Sequence, residues 1–501
     1  MTAFSEILEK SPAPIEVRAD VPLQKLNTWR VGGAAALFAE PKDEADLHAL
    51  LLWAHRHHLP VGILGWGSNV WIPDEGFSGL LIRLKGFEDE FRVDGAAQPQ
   101  VICGAGVGTT RLLREAASQG WTRFERLAGI PGSVGGMIVM NAGTHLGEMA
   151  ELVEWVDVIR YTAVGVRKLR LFPLAKDWHY RGNTFLRSTD IVVRAGLKIV
   201  SGDAAKVQNT IRDLLTRRKS TQPVDEPSAG STFRNPAGHK AWQLISDAGM
   251  RGFQIGGAQV SEVHSNFIVN LGQAKAADVM AVIEAVESKV HEKFGIQLQR
   301  EVRTIRRIEC ATGFVDLTTI PGVRIDLKYA SADNVTGKNF YGDQVRALLH
   351  PIAAEKLARA MQFLRSERPD HGLLIYDALR PRSAQWELWA VVEGTPNEIY
   401  VANPLKGSIH NFGFAVDLTI VDGKGRPLDM GSGFDEFSKL SEPRCEKEFI
   451  ANGQLSFIHI QNRELIRRVM TAAGFRGIET EWWHFDALPR DQVIGTFTAV
   501  E

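Results

Sequence analysis

Two groups of residues with different chemistry occupy separate parts of this chain, and that separation constrains its fold more than any other feature. Glycine-rich loops, a serine and a glutamate lie before about residue 308, and two histidines with two carboxylates, spaced like a metal site, lie after it. A chain of 501 residues is also too long for one hydrophobic core. Because domains hold roughly 100–200 residues, we expect about three or four domains and two separate sites.

The composition is that of an ordinary soluble protein. Hydrophobic residues make up 44% of the chain and charged residues 23%, and the formal net charge is -1. Such a charge gives no electrostatic reason to bind nucleic acid or an anionic membrane. No segment approaches the roughly 18 apolar residues that span a bilayer, and MTAFSEILEK lacks the features of a signal peptide. We expect a cytoplasmic protein whose oligomeric state the sequence leaves open.

The cysteines support a reducing compartment. Cys103, Cys310 and Cys445 are scattered without paired metal spacing. An odd and sparse set argues against a disulfide framework. No local nucleophile motif surrounds them, so structural roles are favoured and a catalytic thiol stays an alternative.

Hydrophobic periodicity predicts an α+β chain. It also indicates a domain boundary within the first half of the chain. Short β-branched strands alternate with glycine turns up to about residue 200, with helices at 43–57 and 109–120. A polar helix from Asp203 to Lys219 leads into a Pro/Gly/Ser loop, and a later helix ends at Gly295. We place the junction between about Arg306 and Gly313. The predicted domains are residues 1–202, 203–308 and 309–501.

The segments on either side of this junction carry further predicted elements. Residues 296–310 are strand-like. In the second half we predict strands at 323–330 and 372–379, with helices at 345–367 and 462–475.

Two glycine loops of the first half have the composition of nucleotide-binding loops. GWGSN follows an apolar strand, so its glycines let backbone N–H groups approach a pyrophosphate. A single loop of this kind is a tight turn as often as it is a binding loop. A second glycine-rich loop, near two apolar strands, indicates that backbone packs against a flat ligand. The candidate cofactor-binding residues are Gly65, Gly67, Ser68, Asn69, Gly129, Gly132, Ser133, Gly136 and Asn141.

A third motif, GSTFRNP, contains Ser231, which alone would be taken as a structural loop serine. NTWRVGG, YRGNTF, GGAQVSEVHSNFIVN and GIQLQREVR occur in order around it. On these motifs, residues from about Leu23 to Arg306 resemble the shorter type of UDP-N-acetylenolpyruvoylglucosamine reductase. The resemblance implies a two-lobed FAD-binding fold of the vanillyl-alcohol-oxidase type, an α/β substrate domain, and FAD and NADPH as cofactors.

The same resemblance implies roles for individual residues. Ser231 matches the proton donor to the carbanion-like enol, a role that needs hydrogen-bond reach. Arg181 and Glu301 match the pair that polarises the substrate carboxylate. An arginine fork suits that carboxylate, whereas Glu301 fits only if it is protonated or hydrogen-bonded.

Further positions are implied for substrate binding. Asn235 and Arg251 match residues that bind the uridine diphosphate, and His264 matches another substrate contact. Two departures bear on nucleotide fit: Asn183 stands where a serine is expected, and Trp66 lies inside the first glycine loop.

The second half carries a set of residues spaced as metal ligands. His410 and Asp417 are seven residues apart across Gly413, and Glu481 precedes His484 by three. If Gly413 turns the chain, His410 and Asp417 can converge on one ion. Two histidines and a carboxylate are a typical set for catalytic zinc, with the fourth position left for water whose proton Glu481 can accept.

The same region contains the motifs IDLKYASADNVTGKNFYG, YDALRP, SIHNFGFAVDL, LDMGSGFDEF and EWWH. On these residues and motifs, the chain from about Val315 to Phe485 resembles D-alanyl-D-alanine dipeptidase. The resemblance implies a zinc D,D-peptidase metallo-fold with His410, Asp417 and His484 as ligands and Glu481 as the base. Arg380 matches the group that stabilises the oxyanion. The implied pocket residues are Tyr329, Asp377, Ser408 and Asp435.

The joint hypothesis is a bifunctional peptidoglycan-precursor enzyme with FAD, NADPH and Zn²⁺. Its substrates would be small molecules, an enolpyruvyl UDP-sugar and the dipeptide D-Ala-D-Ala. Asp435 near a free α-amino group favours a dipeptidase over a D,D-carboxypeptidase. Three alternatives stay open: a flavin oxidoreductase acting on another small molecule, a C-terminal half that is a D,D-carboxypeptidase, and a C-terminal half that is a non-catalytic module.

Overall fold

The computed structural model describes residues 7–95, 98–162, 164–305, 307–308, 313–342 and 345–500. The chain divides into two compact units, one of residues 1–160 and 168–309 and the other of residues 161–167 and 310–501. Most of the predicted junction lies outside the described residues, as does Cys310. Among the residues described, no helix combines the length and apolar character needed to cross a bilayer.

Two five-stranded sheets lie in the first unit. The central strands of the first sheet are parallel, and its two edge strands are antiparallel to their neighbours. The first sheet has the order Val17–Pro22, Ala34–Ala39, Phe77–Arg83, Val61–Leu64 and Arg307–Ile308; the second has the order Val166–Leu171, Val153–Tyr161, Asp190–Lys198, Gln100–Gly104 and Phe91–Asp94. The predicted glycine loop at 65–69 therefore follows a central parallel strand of the first sheet.

Helices of this unit bury apolar faces at helical spacing. Asp43 starts the first of them by accepting a hydrogen bond from the Asp46 N–H at 2.9 Å, and Leu47, Leu50 and Leu51 behind it are fully buried. The helices are Glu44–Arg56, Thr109–Gln119, Val134–Met140, Ala204–Thr221, Ala241–Asp247 and Ala276–Phe294. The apolar run inside the second glycine loop is thus a short helix.

A smaller layer completes the first unit. The antiparallel strands Gln254–Ile255, Ala258–Val260 and Ile268–Asn270 share a core with the helix Ala276–Phe294. That helix ends at Gly295 with φ of +67°, which confirms the predicted stop. The remaining strand pairs are Val70–Trp71 with Arg303–Thr304, Trp121–Thr122 with Val200–Ser201, Gly143–Thr144 with Gly147–Glu148, and Trp178–His179 with Gly182–Asn183. The long strand predicted over 296–310 is wrong, because the described part of it holds only two-residue strands.

A five-stranded sheet forms the centre of the second unit. Its order is Val323–Ile325, Gly372–Asp377, Ala415–Val421, His484–Asp486 and Arg476–Gly477, and its first pair is parallel whereas the others are antiparallel. The register pairs Asp377 with Asp417 and Asp417 with His484. Three predicted site residues therefore lie side by side on adjacent strands.

The helices of the second unit differ from the prediction at their starts. The helix predicted from Val345 begins at Pro351, because proline suits the first helical position and disfavours helix in the residue before it. Leu348–Leu349 instead pairs with Val315–Asp316. The strand predicted over 323–330 ends at Ile325. The helices are Pro351–Glu367, Arg382–Val392, Glu446–Ala451, Phe457–Ala472 and Arg490–Val493.

Candidate active sites

A cavity of about 600 Å³ lies in the first unit, and both predicted glycine loops line it. Apolar side chains such as Ile63, Val192 and Ile305 line other parts of the cavity, so flat apolar surface meets glycine backbone. The predicted cofactor residues that line it are Gly65, Gly67, Ser68, Asn69, Gly132, Ser133 and Gly136. This combination suits the ring and the phosphates of a dinucleotide such as FAD.

Side chains of these loops hydrogen-bond within the protein. Ser68 Oγ donates to the Pro131 carbonyl oxygen at 2.8 Å, and Asn69 Nδ2 donates to the Glu301 carbonyl oxygen at 3.2 Å. Ser133 Oγ accepts from the Gly136 N–H at 3.5 Å. These bonds tie the loops to each other and to the strand region near Glu301, so backbone N–H groups are the donors best suited to a phosphate.

Two predicted cofactor residues, Gly129 and Asn141, are not among the residues that line the cavity. Asn141 is fully buried, and its amide nitrogen donates to Glu148 Oε2 at 2.7 Å and to the His179 carbonyl oxygen at 3.0 Å. Its side chain is therefore engaged in holding the loop. At Gly129, with φ of +79°, an added Cβ would lie 2.4 Å from Cδ of Arg218. The glycine makes room for that arginine.

The three predicted catalytic residues of the first half, Arg181, Ser231 and Glu301, all line the cavity. Arg181 Nε donates to Glu301 Oε1 at 2.8 Å, and its Nη2 donates to the Gly143 carbonyl oxygen at 3.1 Å. Arg181 has φ of +59°, an unusual value for a residue with a side chain. The surrounding contacts thus hold a strained residue in place, which is common at functional sites.

Burial and a neighbouring charge shift the pKa of Glu301 in opposite directions. Burial raises the pKa of its carboxyl, whereas the neighbouring Arg181 favours the ionised form. The net shift of the pKa is upward. Glu301 is therefore both hydrogen-bonded and closer to protonation than an exposed glutamate, as its expected place beside a substrate carboxylate requires.

The predicted substrate residues Asn235, Arg251 and His264 are not brought to this cavity's lining. Asn235 Oδ1 accepts from the Ala241 N–H at 2.9 Å, at the start of a helix. Arg251 donates to the Glu262 carbonyl oxygen. Burial lowers the pKa of His264, and its ring packs edge-on against Phe267 at 5.0 Å. Their predicted contacts with a nucleotide stay predictions.

The two departures from the expected pattern have structural explanations. Trp66 lines the cavity, and its Nε1 donates to the Gly106 carbonyl oxygen at 3.1 Å. Asn183 lies outside the lining, where Nδ2 donates to the carbonyl oxygens of Ile138 and Val139, each at 3.3 Å. Trp66 therefore shapes the cavity, whereas Asn183 supports the end of a short helix behind it.

A second site forms in the second unit around His410, Asp417 and His484. Asp417 and His484 are register neighbours, and His410 lies in the 3-10 turn Ile409–Phe412, which Gly413 ends with φ of +71°. His410 Nε2 is 3.2 Å from His484 Nδ1 and 3.4 Å from Asp417 Oδ1. His484 Nδ1 is 2.9 Å from Asp417 Oδ1. Gly413 does turn the chain here, which is the condition for His410 and Asp417 to converge.

The separations of 3.2 and 3.4 Å that involve His410 fit a tetrahedral zinc ion, whereas the 2.9 Å between His484 Nδ1 and Asp417 Oδ1 is shorter. Ligand bonds of about 2.0–2.1 Å place neighbouring ligand atoms about 3.3–3.4 Å apart. The second ring nitrogens face acceptors: His410 Nδ1 is 2.7 Å from the Ala378 carbonyl oxygen, and His484 Nε2 is 3.1 Å from Asp486 Oδ1. Because His410 Nδ1 and His484 Nε2 donate to these acceptors, His410 Nε2 and His484 Nδ1, which face each other, are left for the metal.

Glu481, the predicted base, lies next to these donors. Its Oε2 is 3.9 Å from His484 Nδ1. Burial raises the pKa of Glu481 to about 7, and the neighbouring Asp417 adds to the rise. A carboxyl of this kind can take up and release a proton at neutral pH.

Arg380 is held beside the three donors by two buried partners. Its Nε donates to Asp377 Oδ2 at 2.8 Å and its Nη1 to Gln385 Oε1 at 2.9 Å, while Nη2 lies 3.7 Å from Asp417 Oδ2. Tyr341 in turn donates to Asp377 at 2.5 Å. The guanidinium is therefore fixed at the site with donors left for an anion.

Asp435 adds a further carboxyl group to the site. It accepts from the Tyr329 hydroxyl at 3.0 Å, and its other oxygen, Oδ2, is buried without a hydrogen-bond donor among the described residues. Burial raises the pKa of Asp435 well above its usual value. Such an oxygen suits the ammonium group of a small ligand. Ser408 is buried at the start of the 3-10 turn that carries His410.

Sequence reasoning missed Asp486, Gln385, Tyr341 and Arg218. Asp486 had a usable signal, because residues two apart in a strand share a face and His484 was already a candidate ligand. Gln385 lies five residues after Arg380, in the first turn of the helix Arg382–Val392, but is a common residue type with no motif of its own. Nothing in the amino-acid sequence distinguishes Arg218 from its neighbours Arg217 and Lys219.

Comparison with known sequence families agrees with this division of the chain. Residues 35–165 match the family described as "FAD binding domain", and residues 222–305 match "UDP-N-acetylenolpyruvoylglucosamine reductase, C-terminal domain". Residues 310–499 match "D-ala-D-ala dipeptidase". The fold and the sites thus define an FAD-binding flavoprotein of mixed α and β structure joined to a peptidase domain.

Individual relatives identify the family of the flavoprotein part. The reductase of Heliobacterium modesticaldum is 43% identical over 286 residues, which are 57% of this chain and 89% of the relative. Reductase 2 of Symbiobacterium thermophilum is 40% identical over 290 residues, 58% of this chain and 92% of the relative. The chain belongs to the UDP-N-acetylenolpyruvoylglucosamine reductase family.

A solved structure is also similar. The crystal structure of UDP-N-acetylenolpyruvylglucosamine reductase from Thermus caldophilus is 33% identical and has a TM-score of 0.49. The similarity covers 58% of this chain and 99% of that chain.

Proposed function

We propose that this chain is a bifunctional enzyme of peptidoglycan precursor metabolism. Its first unit reduces UDP-N-acetylenolpyruvoylglucosamine to UDP-N-acetylmuramate with NADPH and FAD, and its second unit hydrolyses D-alanyl-D-alanine with zinc. The observation that carries the proposal is that each unit assembles a complete and separate set of reactive groups. Arg181, Ser231 and Glu301 face one cavity, and the three zinc-type donors lie within 4.8 Å of one another.

In the reductase unit, protein side chains bind the substrate carboxylate and supply a proton. When bound, FAD supplies the hydride that passes from NADPH to the enolpyruvyl double bond. Arg181 binds the carboxylate and stabilises the enolate next to it, while the partly neutralised Glu301 hydrogen-bonds without strong repulsion. Ser231 then protonates the carbon, which requires that the enolate be held within hydrogen-bond reach.

In the dipeptidase unit, His410, Asp417 and His484 would hold the zinc. When bound, zinc supplies the Lewis acidity that makes water a nucleophile at neutral pH. Glu481 removes a proton from the attacking water and returns it to the leaving amine. Arg380 stabilises the negative oxygen of the tetrahedral state, and Asp435 binds the free α-amino group. A carboxylate at that place excludes longer peptides.

Replacing Ser231 tests the reductase assignment. Ser231→Ala should leave reduction of the flavin by NADPH intact and abolish its reoxidation by the enolpyruvyl sugar, measured by stopped-flow flavin absorbance. Ser228→Ala is the matched control, because Ser228 is in the same loop but does not line the cavity. Reoxidation of Ser231→Ala at the wild-type rate would refute the role of Ser231.

Replacing Glu481 tests the dipeptidase assignment. Glu481→Gln should bind zinc as the wild type does and lose about 10²–10⁴-fold in D-Ala-D-Ala hydrolysis, the usual range for a general base. Glu479→Gln, an exposed neighbour, is the control. Wild-type protein should release D-alanine from the dipeptide but not from a pentapeptide stem. Release from the pentapeptide would favour a D,D-carboxypeptidase, and release from neither would favour a non-catalytic module.

A further inference from the structure

One buried arginine of the second unit binds both ends of the loop that carries Asp435. This Asp435 loop, residues 430–440, lies wholly within the described part of the chain and contains no α-helix or strand. Arg463 is fully buried, and its Nε donates to the Met430 carbonyl oxygen at 2.7 Å. Its Nη2 donates to the Leu440 carbonyl oxygen at 3.1 Å. Asp435 is five residues from each of these anchored ends.

The hydrogen bonds of Arg463 go mainly to this loop rather than to a carboxylate. Its Nη1 is 3.5 Å from Glu446 Oε1, whereas Arg467 Nη2 donates to the same oxygen at 2.8 Å. A fully buried guanidinium is costly unless its donors are satisfied, and loop carbonyl oxygens satisfy most of them here. The planar fork of an arginine can bind two separate chain segments at once. Arg463 therefore closes the Asp435 loop.

The side chain of Ser432 strengthens this connection. Ser432 Oγ accepts from Arg463 Nη2 at 3.1 Å and from Trp482 Nε1 at 3.0 Å. Ser441 Oγ is 3.0 Å from Ser432 Oγ and donates to the Glu436 carbonyl oxygen at 2.8 Å. A hydroxyl group has two lone pairs and one proton, so Ser432 is fully satisfied when it donates to Ser441. Its hydroxyl thus joins the loop to two neighbouring segments.

The conformation of Asp435 requires this support. Its φ of +57° is unusual for a residue with a side chain, and such backbone persists only where its surroundings hold it. Its Oδ2 is buried without a donor among the described residues, so a free loop would turn the carboxyl toward water. On the other side of the loop, the ring of Phe434 packs at 5.0 Å from Tyr376 and at 5.4 Å from Trp483.

We propose that Arg463 is a positioning residue for substrate selection, which with Ser432 holds Asp435 where its carboxyl meets the α-ammonium group of a dipeptide. The inference rests on the proposed dipeptidase function, which assigns Asp435 to that group. Among the described residues, Arg463 bonds none of the three metal-type donors. Its loss should therefore change which substrate is preferred and leave the zinc content unchanged.

The test compares zinc-loaded, full-length wild type with Arg463→Met and Ser432→Ala. The specificity constant kcat/KM is measured for D-Ala-D-Ala and for propionyl-D-alanine, which is the same molecule without its α-amino group. Only D-Ala-D-Ala uses Asp435, so the ratio of the two constants should fall roughly tenfold in Arg463→Met, as for a lost hydrogen bond to a charged group. Ser432→Ala should cause a smaller fall. If propionyl-D-alanine is not cleaved, its inhibition constant replaces its kcat/KM.

Two further variants separate positioning from general damage. Arg467→Met is the matched control, because Arg467 is one turn later on the same helix and bonds Glu446 but none of the described residues of the Asp435 loop. Ser432→Thr keeps the hydroxyl group and should restore the wild-type ratio. Damage to folding or to zinc binding lowers both constants together, so a merely structural role leaves the ratio unchanged. An unchanged ratio in Arg463→Met and Ser432→Ala overturns the proposal.

The outcomes also separate this inference from the proposed function. Cleavage of D-Ala-D-Ala by the wild type, with an unchanged ratio in the variants, overturns the positioning role and leaves the dipeptidase function intact. Cleavage of neither compound refutes the dipeptidase function, and backbone hydrogen exchange of the Asp435 loop then decides. Faster exchange in Ser432→Ala than in wild type and Arg467→Met supports the positioning role, and equal exchange overturns it. If Arg463→Met does not fold, Arg463→Lys, which lacks the fork, and Ser432→Ala decide in the same way.

Discussion

Replacing Asp486 with alanine should weaken zinc binding although the three proposed ligands stay in place. Asp486 Oδ1 is 3.1 Å from His484 Nε2, on the far side of the ring from the nitrogen that faces Asp417. A metal-binding Nδ1 must be unprotonated, so the ring proton is on Nε2 and donates to Asp486. Without this partner, the ring loses its fixed orientation and tautomer.

The solvent exposure of His484 and Asp486 sets the size of the expected loss of zinc affinity. Loss of such an orienting partner typically costs about 10–100-fold in metal affinity. The side chains of His484 and Asp486 are 13% and 20% exposed, so water can replace part of the lost hydrogen bond. We therefore expect a loss of about tenfold, or about 1.4 kcal/mol. Asp486→Asn should lose less, because its amide oxygen can still accept from Nε2.

Zinc affinity of metal-free, full-length protein can be measured by competition with a chromophoric chelator. Asp429→Ala is the control, because Asp429 Oδ2 lies 3.2 Å from His459 Nε2 in a similar pair that holds none of the metal-type donors. Zinc binding by Asp486→Ala as tight as that of wild type would refute the orienting role. An equal loss in Asp429→Ala would show that the effect is not specific to the site.

Three further predictions concern packing, positioning and pH. Gly129→Ala should lower the melting temperature, because the new Cβ would lie 2.4 Å from Arg218 Cδ at a backbone φ of +79°; an unchanged melting temperature would contradict this packing. Gln385→Leu should slow dipeptide hydrolysis at unchanged zinc content, because Arg380 loses an acceptor at 2.9 Å; full activity would contradict the positioning role. Burial would raise the pKa of Asp157, but hydrogen bonds from two arginines lower it, so its stabilisation is present above about pH 4 and is lost as the pH falls. Urea unfolding should therefore show a steeper loss of stability on acidification in wild type than in Asp157→Asn, and equal pH dependence would contradict it.

The sequence predicted those elements whose signals are local. The predicted stop of a helix at Gly295 follows from the preference of glycine for positive φ and is confirmed, and Gly413 meets the condition set for it by turning the chain at positive φ. The helix start at Pro351 was missed because apolar periodicity continues through Val345–His350, although proline alone gave the correct boundary. The spacing of apolar residues therefore identified this helix, and the restricted backbone of one proline set the residue at which it begins.

The partners of the motif residues are harder to predict, because their roles depend on contacts distant in sequence. Gln385 is significant only because Arg380 Nη1 lies 2.9 Å from its side chain, and Tyr341 only because its hydroxyl donates to Asp377 at 2.5 Å. Glutamine and tyrosine occur in many structural settings, so neither residue type alone indicates such a partner. The groups to which the chemistry is assigned could be named from the sequence, whereas most groups that orient them required coordinates.

Strand register is the feature on which the second site depends most. Asp377, Asp417 and His484 are neighbours across three strands, and a shift of one residue in any pairing would turn a side chain to the opposite face. The apolar residues of Ala415–Val421 are fully buried on both faces, so burial fixes that strand but does not by itself choose which face holds Asp417. The choice is made by polar contacts, since Arg380 bonds Asp377 and lies beside Asp417. The arginine assigned to the oxyanion therefore also favours the register that brings the proposed zinc ligands together, and Arg380→Met should weaken zinc binding as well as catalysis.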